Sequence, residues 1–95
     1  MTRFFVPRPN VYQCSDGYVV EIVGRTGMRY TEGGRTMFVD SEILAPPAGV
    51  AIYQDTIARW EPPHAAEALG PDECLRIREN IVAALQSQGI AVDLL

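Results

Sequence analysis

Few side chains in this sequence are suited to catalysis or metal binding, and their spacing matches no familiar site. His64 is the sole histidine, and Cys14 and Cys74 are the only cysteines. Neither a Cys-x-x-Cys nor a His-x-x-x-His pair is present, so we expect no metal site and no cofactor. His64 lacks the signature of a catalytic triad, which favours a surface histidine over a catalytic base.

Cys14, and the pair Asp40 and Glu42, are the residues on which an alternative interpretation as an enzyme would rest. Cys14 as a nucleophile would need a positioned base and an electropositive site, and the sequence places no base beside it. Asp40 and Glu42 are two residues apart, hence on one face of an extended strand, where paired carboxylates can do acid–base or metal chemistry. Exposed carboxylates are more often solvated surface residues, so we expect no catalytic residue. Cys74 is expected to act as a small buried apolar residue, and the sequence does not exclude a disulfide between Cys14 and Cys74.

Charge is distributed unevenly along the chain. Residues 1–39 hold five Arg and three acidic residues, whereas residues 40–95 hold three Arg and nine acidic residues, and the chain contains no Lys. The acidic second half disfavours nucleic acid as a partner, because its phosphates would be repelled. It suits a basic protein partner, although solubility alone explains the charge equally well.

The length and apolar pattern predict one domain without membrane contact. The chain has 95 residues, and no apolar run approaches the ~20 residues that span a bilayer. Pro7 and Pro9 end the N-terminal apolar run, which is too short for a signal peptide. We therefore expect a cytoplasmic protein, with residues 1–10 as an extended N-terminal arm and residues 11–95 as a single α+β domain.

The strongest structural signal is a helix over residues 71–88, which must support whatever surface the chain presents. Pro71 suits the first helical position, and Gly89 suits a left-handed residue after the last turn. Apolar residues recur at steps of three and four and predict one buried face. That face consists of Cys74, Ile77, Ile81, Ala84 and Leu85.

Two strands around Gly33-Gly34 predict a hairpin whose register can be read from the sequence. A two-glycine loop fits the primed turns, which need positive φ. The pairing of Glu32 with Arg35 then separates an apolar face from a mostly polar one. The apolar face carries Met28, Tyr30, Met37 and Val39. The other face carries Arg29, Thr31, Thr36 and Phe38.

The remaining pattern predicts an α+β fold, in which a single C-terminal helix covers one face of an antiparallel β-meander and a final strand follows. Strands are expected at residues 18–24, 50–53 and 90–94, with Ile90, Val92 and Leu94 sharing one side. Residues 45–49 predict a proline-rich turn, and residues 54–59 fit either strand or one irregular turn. Consecutive prolines exclude a helix at residues 60–64.

Contact with a partner is predicted on the polar side of the hairpin. Phe38 is the better candidate, because an apolar residue on that side has no evident role in the core. Trp60 fits either an exposed interface anchor or a plug at one end of the core, and the core is favoured. The predicted partner contacts are Phe38, Asp40, Glu42, Trp60 and Glu61.

The order of these motifs resembles small bacterial immunity proteins of polymorphic toxin systems. The resemblance rests on residues 30–35, 40–44 and 50–53, then on Trp60-Glu61-Pro62-Pro63 and the helix before Gly89, and it covers residues 18–94. It implies a non-enzymatic protein that binds a cognate toxin domain and blocks its activity. Charge complementarity suggests a basic toxin. A self-associating module, dimerising through a sheet edge at residues 90–94 or 50–53, is the alternative.

Overall fold

Seven strands form one curled sheet, and a helix lies against one of its faces. The computed structural model describes residues 2–45 and 49–95. The strands are β1 (Phe4–Arg8), β2 (Val11–Cys14), β3 (Tyr18–Ile22), β4 (Gly27–Glu32), β5 (Arg35–Ile43), β6 (Val50–Ile52) and β7 (Val92–Leu94). The helix α1 spans Pro71–Ser87, and a 3-10 turn spans Gln54–Thr56. The predicted α+β class is confirmed.

The strands follow one another across the sheet in chain order. All neighbours are antiparallel except β6 and β7, which are parallel. The parallel pair is possible because α1 lies between these strands in the sequence. The connection through α1 returns the chain to the end of the sheet at which β6 begins, so β7 runs in the same direction as β6. Since β6 pairs on both sides, the proposed free edge at residues 50–53 is wrong. The edges of the sheet are β1 and β7.

The predicted hairpin register is confirmed residue by residue. Glu32 pairs with Arg35, Tyr30 with Met37, and Met28 with Val39. The residues of its apolar face are Met28, Tyr30, Met37 and Val39, and none of them is exposed to solvent. The two glycines at the turn, Gly33 and Gly34, have φ of 57° and 79°, as the primed turn requires.

The first ten residues belong largely to the sheet. The segment predicted as an extended arm contains β1, which pairs with β2, a strand that was not predicted from the sequence. The Phe4 ring packs edge-on against Tyr18 with centroids 6.3 Å apart. Met1 and residues 46–48, which form most of the predicted proline-rich turn, lie outside the described residues.

The core lies between α1 and the sheet face that it covers. From the helix, Ile77, Ile81, Ala84 and Leu85 are fully buried, as the periodicity predicts. Gly89 has φ of 73°, which fits the predicted helix end. Leu94, which was predicted to share one side with Ile90 and Val92, is 39% exposed on the edge strand β7.

A polar network fastens α1 to β4 beside this core. The Tyr30 hydroxyl donates to Glu32 Oε1 at 2.6 Å and accepts from Asn80 Nδ2 at 2.9 Å. Arg76 Nη2 lies 2.7 Å from Glu32 Oε2. Burial, with the hydrogen bond to Glu32, raises the pKa of Tyr30. Helix and sheet are therefore joined by directional bonds as well as by apolar packing.

Candidate partner-binding surface

The sheet face turned away from α1 carries three of the predicted contact residues. Successive side chains of a strand point to opposite faces. Because Met37 and Val39 of β5 point towards α1, Phe38, Asp40 and Glu42 point away from it. Phe38 is 43% exposed, a large fraction for an aromatic ring in the middle of a sheet. We call this surface the open face.

Charges on the β1–β4 half of the open face are paired with one another. Arg29 lies between two carboxylates, with Nη1 3.7 Å from Glu21 Oε1 and Nε 3.9 Å from Glu61 Oε1. Arg8 Nη2 is 3.6 Å from Glu21 Oε2. Each pair is partly exposed and contributes about 0–1 kcal/mol to stability. The chain thus neutralises these carboxylates itself.

Charges on the β5 half are arranged differently. Within residues 2–45 and 49–95, neither Asp40 nor Glu42 has an ion-pair partner. Both line a groove of about 500 Å³, and we call it the β5 groove; its lining consists of Thr26, Phe38, Asp40, Ser41, Glu42 and Tyr53. The groove therefore presents an aromatic ring beside two carboxylates that no cation of the described residues neutralises.

Hydrogen bonds hold the walls of the β5 groove in place. Tyr53 Oη donates to Glu42 Oε2 at 3.1 Å, and this bond raises the pKa of Tyr53. The Thr56 hydroxyl accepts from the Asp40 backbone N–H at 2.9 Å and donates to the Tyr53 carbonyl at 2.7 Å. The turn after β6 is thereby fastened to the strand that carries the carboxylates.

Gly27 makes room for the Phe38 ring. A Cβ atom added at Gly27 would lie 2.0 Å from Phe38 Cζ, so the ring occupies the space that any other residue would fill. This contact between Gly27 and Phe38 was not predicted from the sequence. The signal lay in the hairpin register, which places Gly27 on the neighbouring strand diagonally from Phe38.

The remaining predicted contacts lie elsewhere. Trp60 is 4% exposed and stacks over Tyr30 with centroids 6.3 Å apart, which fits the favoured core position and not an exposed anchor. The Glu61 backbone N–H donates to the Thr36 carbonyl at 2.7 Å, so this segment is attached to β5. Glu61 reaches the open face through its pairing with Arg29. As contacts with a partner, all five residues stay predictions.

Cys14, His64 and Cys74 each form a hydrogen bond with a different residue, and none of these bonds joins a cysteine to the histidine. Cys14 is 3% exposed and accepts from the Asp16 backbone N–H, whereas His64 bonds with Glu67. Cys74 Sγ donates to the Ile57 carbonyl at 3.4 Å, and both cysteines are free. Among the described residues, no group of three potential metal ligands comes together, and no helix is long and apolar enough to cross a membrane.

Comparison with known proteins identifies one family. A family model described as immunity protein 74 matches residues 19–94, which is most of the chain. The match takes in all but the first residue of β3, all of β4 to β7 and α1, and it leaves β1 and β2 outside. No curated protein and no solved structure matches the chain.

Proposed function

Since the chain belongs to the immunity protein 74 family, we propose that it neutralises a cognate toxin domain by binding it directly. The toxin is proposed to be basic, because the second half of the chain is strongly acidic and the net charge of the whole chain is −4. The protein acts in this proposal in the cytoplasm of the bacterium that produces the toxin, and it performs no chemistry of its own.

The open face supports this proposal most directly. A helix covers one side of the sheet, and on the other side Phe38 is exposed beside two carboxylates that form no ion pair within the described residues. An exposed aromatic residue among polar neighbours is the usual form of an interface anchor. We therefore propose that Phe38, Asp40, Glu42 and Glu61 contact the toxin, with Trp60 supporting them from the core.

A non-enzymatic mechanism is supported by how the reactive side chains are engaged. The Cys14 thiol is buried, and His64 is hydrogen-bonded to Glu67 and not to a nucleophile. Nucleophilic catalysis would require a thiolate and a base in contact. Binding alone is sufficient for neutralisation, provided that the covered part of the toxin is needed for its activity.

Co-expression tests the proposal. The tagged chain is used to recover its partner from the native host, and the recovered toxin domain is then expressed from an inducible promoter with and without the chain. We expect growth only in the presence of the chain, and a one-to-one complex on size-exclusion chromatography. Toxicity that is unaffected by the folded chain would contradict the proposal.

Self-association is a second candidate, favoured by the free edge of β7. That strand pairs only with β6 in the described part of the chain, and it exposes Leu94. An edge of this kind is a template for pairing with a second copy. Sedimentation equilibrium would detect the dimer, and a monomer at high concentration would exclude it.

A further inference from the structure

We propose that the β5 groove receives a basic side chain of the toxin, an inference that rests on the proposed function. The cation lies between Asp40 and Glu42, and the aliphatic part of the same side chain lies against the Phe38 ring. The occupant is thus an arginine or a lysine on a protruding segment of the toxin. This assigns the partner's chemistry and the position at which it is recognised.

The spacing along β5 fits such a side chain. Phe38, Asp40 and Glu42 are alternate residues of one strand and face the same way. At about 3.3 Å per residue, neighbouring members of this row are ~6.6 Å apart. An arginine or lysine combines an apolar stem of comparable length with a terminal cation. It can therefore contact the ring and the carboxylates together, and the ring face itself attracts cations.

The contrast between the two halves of the open face identifies the occupant as cationic. Glu21 and Glu61 face Arg29 within the chain, so a partner's cation would have to compete for them. Asp40 and Glu42 lie on the same face, and no arginine of the described residues forms an ion pair with either of them. The missing positive charge is what a basic toxin would supply, which is charge complementarity at a defined place.

The groups that line the β5 groove are already held in position in the unbound chain. Tyr53 orients the Glu42 carboxylate, and Thr56 fixes the backbone at Asp40. The Phe38 ring lies over Gly27, in the space that a Cβ atom at that position would fill. Groups that are already ordered lose little conformational entropy on association, so the same contacts give tighter binding.

Titration of the intact protein with a small cation tests the groove independently of the toxin. The probe is n-butylguanidinium, with n-butylurea as the uncharged control, followed by NMR chemical shifts. We expect saturable guanidinium-specific shifts at Phe38, Glu42 and Tyr53, which the D40N/E42Q variant abolishes. Equal shifts with both probes, shifts spread over the helix carboxylates, or no saturable shift would contradict the assignment.

Affinity for the recovered toxin domain tests the same inference in the complex. The D40N/E42Q variant is compared with D72N/E79Q, which removes two exposed carboxylates from α1. We expect about tenfold weaker binding, with a shallower salt dependence, for the groove variant, and near wild-type binding for the control. If the wild-type chain neutralises the toxin but both variants bind equally, the groove assignment fails while the proposed function stands.

Gly27→Ala moves the Phe38 ring without removing any side chain of the groove. The added Cβ overlaps only the far end of that ring, which can swing aside, so cooperative unfolding is expected to persist. We expect toxin affinity to fall several-fold, with changed ring resonances for Phe38. Unchanged affinity in a variant whose ring has demonstrably moved would overturn the role of Phe38.

Discussion

The two faces of the β4–β5 hairpin are built from alternating residues of the same strands, yet they differ in almost every physical property. On the covered face, Met28, Tyr30, Met37 and Val39 are inaccessible to solvent. On the open face, Phe38 is exposed and carboxylates line a groove. The two-residue period of a strand thus separates the residues of the core from those of the proposed binding surface within one hairpin. Substitutions on one face should alter stability, and substitutions on the other should alter affinity for the partner.

The largest effect on stability is expected from Ile81→Ala beneath the covered face. Ile81 is fully buried on α1, and removing its side chain leaves a cavity that costs about 2–5 kcal/mol. Urea denaturation measures the loss. Leu75→Ala on the same helix is the matched control, because Leu75 is 43% exposed and should cost much less. Equal losses in the two variants would mean that the buried face of α1 is wrongly assigned.

Tyr30→Phe should have the next largest effect. The change removes the hydroxyl that joins Glu32 to Asn80 and leaves both groups without that partner. The expected loss in the free energy of unfolding is about 1–3 kcal/mol, measured by urea denaturation. Tyr53→Phe removes a hydroxyl from the open face and serves as the control, with a smaller loss expected. A Tyr30→Phe protein as stable as the wild type would show that the network contributes nothing.

Phe38→Ala sharpens the comparison between the faces. Because Phe38 is 43% exposed and lies outside the buried core, we expect the free energy of unfolding to fall by only about 1 kcal/mol. Toxin affinity measured by calorimetry on the same sample should fall at least about tenfold. A variant that loses stability but keeps its affinity would place Phe38 with the structural residues and break the division that we draw.

Arg29→Gln tests the paired half of the open face. Its two ion pairs, with Glu21 and Glu61, are long and partly exposed, so the expected loss is about 0–1 kcal/mol. Thermal unfolding at low and high salt measures it, and the difference from wild type should shrink at high salt. A loss that persists at high salt would indicate packing by the side chain of Arg29 instead of electrostatics.

The smallest expected effect concerns the exposed Glu67 carboxylate. A hydrogen bond from Arg35, with a smaller contribution from the one with His64, lowers the pKa of Glu67 below its ordinary value. A folded-state pKa that is lowered contributes stability above the unfolded-state pKa, and this contribution is lost as pH falls through the folded-state pKa. NMR titration should show the low pKa, and Arg35→Gln should raise it. An identical pKa in the two proteins would mean that the bond is absent in solution.

Local patterns predicted much of the fold. The hairpin register followed from its turn glycines and alternation, and α1 followed from its helical period and its terminal Pro71 and Gly89. The strand β2 was missed, because four residues between turns carry little periodic signal. The parallel direction of β7 was not predicted either, since it depends on how the chain crosses the sheet after β6.

The candidate site could be predicted only in part, for a related reason. Alternation along β5 was enough to place Phe38, Asp40 and Glu42 on one face. The pairing of Arg29 with Glu61, and the seating of Trp60 over Tyr30, join residues far apart in the sequence. No local pattern reports such contacts. The contrast between paired and unpaired carboxylates, on which the partner assignment depends, therefore emerged only from the three-dimensional arrangement.

Amide hydrogen exchange of the chain, free and bound to its toxin domain, tests the central claim most directly. We expect slower exchange on binding in β4, β5 and the turn around Tyr53, with exchange in α1 unchanged. Protection confined to α1, with no change in β4 and β5, would contradict the assignment of the open face as the toxin-binding surface.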